Sequence, residues 1–373
     1  MNETCTKSSI RNRMIERSLV STGNNRRMKA VIERARAGEQ VTIAYIGGSI
    51  TEGYHGGQDG NYAILSYQYF ARTFGTGSNV HYVNAGMSGT PSKLALIRLE
   101  RDVERHRPDI VFVEYAINDD SSDPVNRIAF ESLVIRLLRS PEQPAVVLVF
   151  TISEDGGSAQ NEMERVGAHY KLPMISVRDA IMPEIEAGTM DWSRDYAKDH
   201  FHPEPPGHAL IAEMIEHYYA AVSGQESQRE EPLPTTTVYG GDYSHMVMLD
   251  HTNLTPLALG GFRKDNTIPQ LPKGWYHAED APEIGFVFEL ACKNLFIVTK
   301  ESKDPMTGAI DVYVDGEWKL HVDGFKESGW NNPVTEIVFS DAAVRKRAVE
   351  IKMASGSENK SFELLAFGYS AVE

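Results

Sequence analysis

The fold is decided by a short apolar run, Val41-Thr42-Ile43-Ala44-Tyr45-Ile46, which ends at Gly47-Gly48 and is followed at once by Ser49. An apolar run of this length, bounded by turn residues, predicts a buried strand. Four similar runs follow it: Val80 to Asn84, Ile110 to Tyr115, Ala145 to Phe150 and Met174 to Val177. Helical patterns separate them, near Tyr62 to Phe70, Lys93 to Arg105, Arg127 to Arg139, Gln160 to Tyr170 and Gly207 to Tyr219. Strands that alternate with helices predict an α/β domain with a parallel sheet covered by helices on both faces.

The pattern changes after residue 222. Residues 223–237 are rich in Gln, Glu, Ser, Pro and Thr, which predicts a linker. Beyond the linker, short alternating runs predict strands: Ile284 to Leu290, Asn294 to Thr299, Ile310 to Val314, Val334 to Phe339, Val349 to Met353 and Phe362 to Gly368. Asp315-Gly316 predicts a hairpin turn between two of them. We therefore expect an α/β domain with an N-terminal helical extension at 1–222, and an antiparallel, jelly-roll-like β-sandwich at 238–373.

Composition narrows the range of partners. The 373 residues hold 52 Asp and Glu against 37 Lys and Arg, a formal net charge of -15. Such a chain repels phosphate backbones and anionic lipids, so we expect neither a nucleic-acid nor a membrane partner. Two cysteines, Cys5 and Cys292, cannot form a disulfide framework. Residues 1–7 lack the apolar core of a secretory signal, which predicts a cytoplasmic protein. The oligomeric state stays open, a homo-oligomer included.

Ser49 falls at a predicted strand-to-helix turn behind two glycines. At such a turn the serine hydroxyl is exposed and its backbone N–H points the same way, which suits a nucleophile. The alternative is a helix N-cap, with Glu52 completing a capping box. A phosphate-binding loop is disfavoured, because the chain has neither Gly-Lys-Ser/Thr nor G-x-G-x-x-G at this point.

Two more segments follow predicted strands at their carboxyl ends, where the sites of parallel sheets lie. The segment Asn84 to Thr90 contains Gly89, and glycines allow backbone N–H groups to approach a ligand. Asn118 ends the third strand, where its side-chain amide would donate into the same site. A plain βα turn is the alternative for the first segment, and a helix N-cap is the alternative for Asn118.

The strongest candidate for chemistry is the segment Asp199-His200-Phe201-His202-Pro203. An acid three residues before a histidine on one loop can accept the Nδ1–H of that histidine, which leaves Nε2 free to take a proton from a serine. The alternative is a His-Pro loop that only ends a helix. A metal site built from His200, His202 and His208 is disfavoured, because no further Cys or acidic pair shows metal-ligand spacing. We therefore expect neither a metal nor another cofactor.

Together these segments resemble the SGNH family, also called GDSL-type hydrolases, over roughly residues 41–219. The four family blocks correspond to Ser49, Gly89, Asn118 and His202, and Asp199 is the third member of the triad. The resemblance implies a flavodoxin-like three-layer domain with strand order 2-1-3-4-5, and ester hydrolysis without a metal. The oxyanion would be held by the N–H groups of Ser49 and Gly89 and by the Asn118 amide. Two positions depart from the family: Gly48 replaces the usual Asp, and Ala116 replaces the usual Gly.

The loops around these motifs suggest a sugar ester. They carry polar groups with isolated aromatics, of which Tyr54, His55 and Trp192 are candidate contacts; ordinary loop composition is the alternative. The second domain adds the candidate contacts Trp275, Trp330 and Asn331, since aromatics on β-sandwich loops commonly bind sugars. Core tryptophan is the competing interpretation, and it is favoured for Trp318, which lies in a strand pattern.

The order of the two domains is similar to that of two-domain acetyl-mannan esterases, whose second domain resembles carbohydrate-binding module family 35. This resemblance implies an acetylated oligosaccharide as partner and removal of O-acetyl groups from hemicellulose, with mannan favoured and xylan next. Two alternatives are a lipase or thioesterase on the same fold, and a non-catalytic sugar-binding protein.

Overall fold

The computed structural model describes residues 3–277 and 285–371, with side chains from residue 9 onward. The chain divides into two compact units, one formed by Met1–Ala95 and Leu99–Gly241 and the other by Leu96–Arg98 and Asp242–Glu373. Among the described residues, no helix is both long enough and apolar enough to cross a membrane.

The first unit is built on a six-stranded sheet. Its strands are β1 Leu19–Thr22, β2 Val41–Gly47, β3 Val80–Gly86, β4 Ile110–Glu114, β5 Ala145–Phe150 and β6 Pro173–Ser176, in the order β1-β6-β5-β4-β2-β3. Strands β2 to β6 are parallel, and their order is the predicted 2-1-3-4-5. Strand β1 pairs with β6 in the antiparallel direction and was not predicted, because its four residues lack a continuous apolar run.

Helices join these strands. They are α1 Glu3–Ser18, α2 Arg26–Arg36, α3 Ser49–Glu52, α4 Gly57–Gly60, α5 Tyr62–Phe74, α6 Ser92–Asp102, α7 Pro124–Arg139, α8 Gln160–His169, α9 Val177–Glu186, α10 Trp192–Asp195 and α11 Pro205–Ser223, with a 3₁₀ turn at Glu104–His106. Every residue of β4 and β5 is buried, so both faces of the central sheet are covered, as the predicted three-layer arrangement requires. Gly38 lies just beyond α2 with φ +81°, the left-handed conformation in which glycine commonly ends a helix.

The polar segment 223–237 is held along the first unit by hydrogen bonds. Asn25 donates to Gln225 Oε1 at 2.9 Å and accepts the N–H of Gln228, and the ring Nε2 of His169 donates to the carbonyl of Thr236 at 2.8 Å. The buried carboxylate of Glu131 then accepts the backbone N–H groups of residues 238–240. The side chain of Gln228, in the segment predicted as a linker, also accepts the backbone N–H of Asn25 at 2.8 Å.

The second unit is an antiparallel β domain. Its strands are β7 Val247–Leu249, β8 Ala258–Leu259, β9 Phe262–Arg263, β10 Trp275–His277, β11 Phe286–Ser302, β12 Ala309–Val314, β13 Glu317–Asp323, β14 Trp330–Met353 and β15 Phe362–Ser370. The order is β13-β12-β14-β11-β15-β10-β9, with β7 on β15 and β8 on β11. The predicted runs 294–299 and 284–290 belong to one long strand, β11, apart from Ile284, which lies outside the described residues.

The long strands let one hydrogen-bonded sheet form both layers of the sandwich. The register between β11 and β14 shifts between Cys292 and Asn294, so each strand has two halves. Phe286, in the first half of β11, meets Trp275 and Phe367 from the other layer at ring-centroid distances of 5.2 and 6.2 Å. The predicted hairpin at Asp315-Gly316 joins β12 to β13, and both residues have positive φ, as a type I′ turn requires.

Candidate active site

The carboxyl edge of the parallel sheet places Ser49 directly after β2. Gly48 separates the strand from α3, and Ser49 is the first residue of that helix. A Cβ atom on Gly47 would lie 2.1 Å from Thr51 Oγ1, and one on Gly48 would lie 2.0 Å from Asn118 Oδ1. Only glycines therefore permit this turn to pack so closely against α3 and Asn118.

Ser49, His202 and Asp199 form a continuous chain of hydrogen bonds. His202 Nδ1 donates to Asp199 Oδ2 at 2.7 Å, which leaves Nε2 unprotonated to accept from Ser49 Oγ at 2.8 Å. The other Asp199 oxygen accepts the backbone N–H groups of Phe201 and His202 at 2.9 and 2.6 Å. Partial burial opposes ionisation of Asp199, but these hydrogen bonds from His202 and Phe201 outweigh it and lower the pKa of the carboxyl.

Trp192 holds the loop that carries His202. This side chain is buried, and its indole Nε1 donates to the carbonyl of Asp199 at 2.8 Å. The prediction that Trp192 contacts a sugar is therefore wrong: the short helix α10 turns the ring into the core, where it packs on Tyr196. Its contribution to the site is to position Asp199.

The predicted oxyanion donors lie on two neighbouring turns. Asn118 packs its side-chain amide against Gly48, next to Ser49. Gly89 has φ +68°, a conformation that favours glycine, and its neighbour Ser88 donates its N–H to Glu52 Oε2 at 2.8 Å. Because Glu52 is the last residue of α3, that contact ties the Gly89 turn to the helix that begins with Ser49.

The alternative roles of these residues are not observed. Ser49 does not cap α3, whose N-cap is Gly48, and Glu52 bonds Ser88 and not the helix terminus. Asn118 does not cap α7, since Asp123 accepts the N–H of Val125 there.

Aromatic side chains surround the catalytic histidine. Tyr54 is 51% exposed, and its ring lies 4.5 Å from the rings of both His55 and His202. His55 Nδ1 lies 3.1 Å from Glu204 Oε1. Phe201 is 41% exposed, and its ring centroid lies 6.2 Å from that of His202. Sequence reasoning did not select Phe201, although an apolar residue between two histidines of a polar loop was a usable signal.

The other two histidines have structural partners. His208 is fully buried, accepts the N–H of Tyr62 on Nδ1 and donates from Nε2 to the carbonyl of Tyr54 at 3.0 Å. Burial lowers the pKa of His208, so it stays neutral in this position. His200 lies beside Glu154 and Asp155. Within the described ranges, no group of three or more His, Cys, Asp or Glu residues is arranged to hold a metal ion.

The candidate sugar contacts of the second unit separate into buried and exposed residues. Trp275 is fully buried, so its prediction as a sugar contact is wrong: β10 directs the indole into the core against Phe286. Trp330 is 54% exposed at the start of β14, and Asn331 beside it is exposed with φ +67°. Trp318 is 58% exposed, contrary to the predicted core position, because its place on β13 turns it to solvent, where it donates to Asp311.

A serine, a histidine and an aspartate in this geometry, at the carboxyl edge of a doubly wound parallel sheet, define a hydrolase of the Ser-His-Asp triad class. Residues 45–210 match the GDSL-like lipase/acylhydrolase family. Over those residues the chain is similar to GDSL-type acylhydrolases, and it is a carboxylic ester hydrolase.

The whole chain is also similar to a solved two-domain esterase. That protein is described as active on acetylated mannans, and it is 26% identical to this chain, with a TM-score of 0.87 over 96% of this chain and 99% of the other. Its structure co-crystallised with mannopentaose gives a TM-score of 0.86, again at 26% identity, over 96% of this chain and 98% of the other. A search of curated proteins finds no match.

Proposed function

We propose that the protein is a serine esterase that removes O-acetyl groups from acetylated hemicellulose oligosaccharides, with mannan favoured over xylan. The observation that carries this proposal is the hydrogen-bonded chain from Ser49 through His202 to Asp199. Two-domain likeness to an esterase described as active on acetylated mannans supports the substrate class.

In this mechanism, Ser49 Oγ attacks the acetyl carbonyl while His202 Nε2 takes its proton. Asp199 stays ionised, holds the imidazole in the required tautomer and stabilises the imidazolium that forms. The N–H groups of Ser49 and Gly89 and the Asn118 amide donate to the oxyanion, and each such donor contributes ~3–4 kcal/mol at the transition state. His202 then gives its proton to the departing sugar oxygen as the ester C–O bond breaks, which releases the sugar with a free hydroxyl. Water attacks the acetyl-enzyme with His202 again as base, which releases acetate and restores Ser49.

The surface around His202 supports a sugar as the alcohol half of the ester. Tyr54 and Phe201 expose aromatic rings next to the histidine, and aromatic faces with polar neighbours suit sugar rings. In the second unit, exposed Trp330 and Asn331 are the candidates for a separate sugar contact. We propose that this unit binds carbohydrate.

The test is acetate release from acetylated mannan, xylan and pectin oligosaccharides by the wild type and by Ser49→Ala. We expect release from mannan to be fastest and the variant to be ~10⁴-fold slower or worse with its fold intact. A p-nitrophenyl ester series from acetate to decanoate separates this function from that of a lipase, which would prefer long chains. Binding of glycans with no acetate release, and no reaction with a fluorophosphonate, would show a sugar-binding protein instead.

A further inference from the structure

A carboxylate lies buried beneath the nucleophile turn and takes no part in the mechanism above. Glu114 is the last residue of β4 and is fully buried. In the described part of the chain no Lys, Arg or His forms an ion pair with it, and burial raises the pKa of its carboxyl. Burying such a group without a countercharge is unfavourable, so its position requires a physical reason.

Two hydroxyl donors converge on this carboxylate from two other strand ends. Thr51 Oγ1, in α3, donates to Oε2 at 3.0 Å, and Thr151 Oγ1, just beyond β5, donates to Oε1 at 2.5 Å. The backbone of Glu114 itself pairs with Gly47, the last residue of β2. Thr51 Oγ1 accepts in turn from the hydroxyl of Tyr62 at 2.8 Å. One side chain thus joins the carboxyl ends of β2, β4 and β5.

These contacts fix the orientation of the peptide between Gly48 and Ser49. Glu114 pairs with Gly47 through its backbone and holds Thr51 through its side chain, so it fixes the chain on both sides of Gly48 and Ser49. The Asn118 side chain packs against Gly48 so closely that no Cβ would fit. The orientation of the Gly48–Ser49 peptide sets the direction of the Ser49 N–H, which is a proposed oxyanion donor. Asn118 lies in the turn four residues beyond Glu114, and its N–H donates to the carbonyl of Tyr115 at 3.1 Å, which holds that turn against the end of β4.

We propose that Glu114 is a positioning residue that fixes the Gly48–Ser49 peptide and so aligns the Ser49 N–H with the Asn118 amide in the oxyanion hole. This inference rests on the proposed serine mechanism. The sequence held one signal for it, an acidic residue inside the otherwise apolar run Ile110 to Tyr115.

The experiment compares Glu114→Gln with Glu131→Gln, using kcat and KM for p-nitrophenyl acetate, thermal unfolding, and the rate of fluorophosphonate labelling. Glu131 is a matched control, because it is also fully buried and accepts several hydrogen bonds, but from Tyr170 and residues 238–240. Loss of a whole oxyanion donor lowers kcat about 10²–10³-fold, so a misaligned donor should lower it ~10–100-fold. We expect that loss in Glu114→Gln with KM within about twofold, slower labelling, and an unchanged kcat in Glu131→Gln.

A second pair of variants covers the case in which Glu114→Gln does not fold. Thr151→Val removes one donor and keeps the shape, whereas Thr151→Ser keeps the hydroxyl. We expect kcat to fall ~3–10-fold in Thr151→Val and to be retained in Thr151→Ser, since a single hydrogen bond contributes about 1 kcal/mol. A kcat within twofold of wild type in both Glu114→Gln and Thr151→Val would overturn the inference, as would an equal loss in Glu131→Gln. Full activity of Ser49→Ala would instead refute the serine mechanism, so the two failures are distinguishable.

Discussion

Replacing Asp199 by Asn tests which ring nitrogen of His202 carries the proton. The Asp199 carboxylate uses one oxygen for His202 Nδ1–H and the other for two backbone N–H groups. An Asn side chain has only one acceptor oxygen. If that oxygen serves the two backbone groups, the amide NH₂ faces Nδ1, which then carries no proton. The proton moves to Nε2, and His202 can no longer accept the proton of Ser49.

The size of the effect follows from these contacts. The variant is active only when the Asn oxygen turns toward His202 and accepts its Nδ1–H. That orientation loses the two backbone hydrogen bonds, which costs about 2–3 kcal/mol, so the population of the active form falls ~30–150-fold. Loss of the negative charge beside the imidazolium adds ~1–2 kcal/mol, a value kept small because the Asp199 side chain is partly exposed. The sum, about 3–5 kcal/mol, predicts that kcat/KM falls ~150–5,000-fold, and the upper end of that range approaches the ~10⁴-fold effect of the same substitution in triad hydrolases.

The assay is kcat/KM for p-nitrophenyl acetate, with circular dichroism to confirm the fold. His200→Ala is the matched control, because His200 lies on the same loop but its ring nitrogens face Glu154 and Asp155 and not the triad. We expect that control to retain activity within about tenfold. A loss of less than tenfold in Asp199→Asn would refute the assigned tautomer and with it the role of Asp199.

Three further predictions follow from the same structure. His202→Ala should lower kcat as much as Ser49→Ala, with the double variant no slower, because the two act as a unit; multiplicative losses in kcat would contradict this. Phe201→Ala should raise KM for acetylated oligosaccharide severalfold and leave KM for p-nitrophenyl acetate unchanged, and an equal change for both substrates would exclude a sugar contact. Glu184 is buried, which opposes ionisation, but hydrogen bonds from Thr189 and two arginines lower its pKa to about 2. Its stabilising effect is therefore present above the unfolded value of ~4.5 and is lost as pH falls toward 2, so the difference in melting temperature between wild type and Glu184→Gln should shrink in acid; a constant difference would argue against it.

The sequence determined the parallel sheet because that information is local. Each strand is an apolar run between turn residues, and each crossover is a helical period, so alternation alone specifies the strand connections. The edge strand β1 was not predicted, because its four residues form neither an apolar run nor an alternating pattern. Its position depends on pairing with β6. Likewise, β11 remains one strand through its register shift because it pairs with β14 on both sides of the shift. Its own residues do not predict this.

The same division holds for the site. The contact between Asp199 and His202 spans three residues of one loop, so spacing alone could indicate it. Ser49 is 153 residues away from His202, and only the closing of the sheet and the packing of α11 bring the two side chains to 2.8 Å.

Tryptophan burial and the setting of Glu114 were decided by tertiary structure alone. Trp192 and Trp275 stand in turn-like sequence yet are buried, and Trp318 stands in a strand yet is exposed, because the side of an element that faces the core is set by its neighbours. For Glu114 the sequence shows only a charge among apolar residues. Its two donors come from residues 51 and 151, which no local pattern connects and which meet only where the ends of three strands lie side by side.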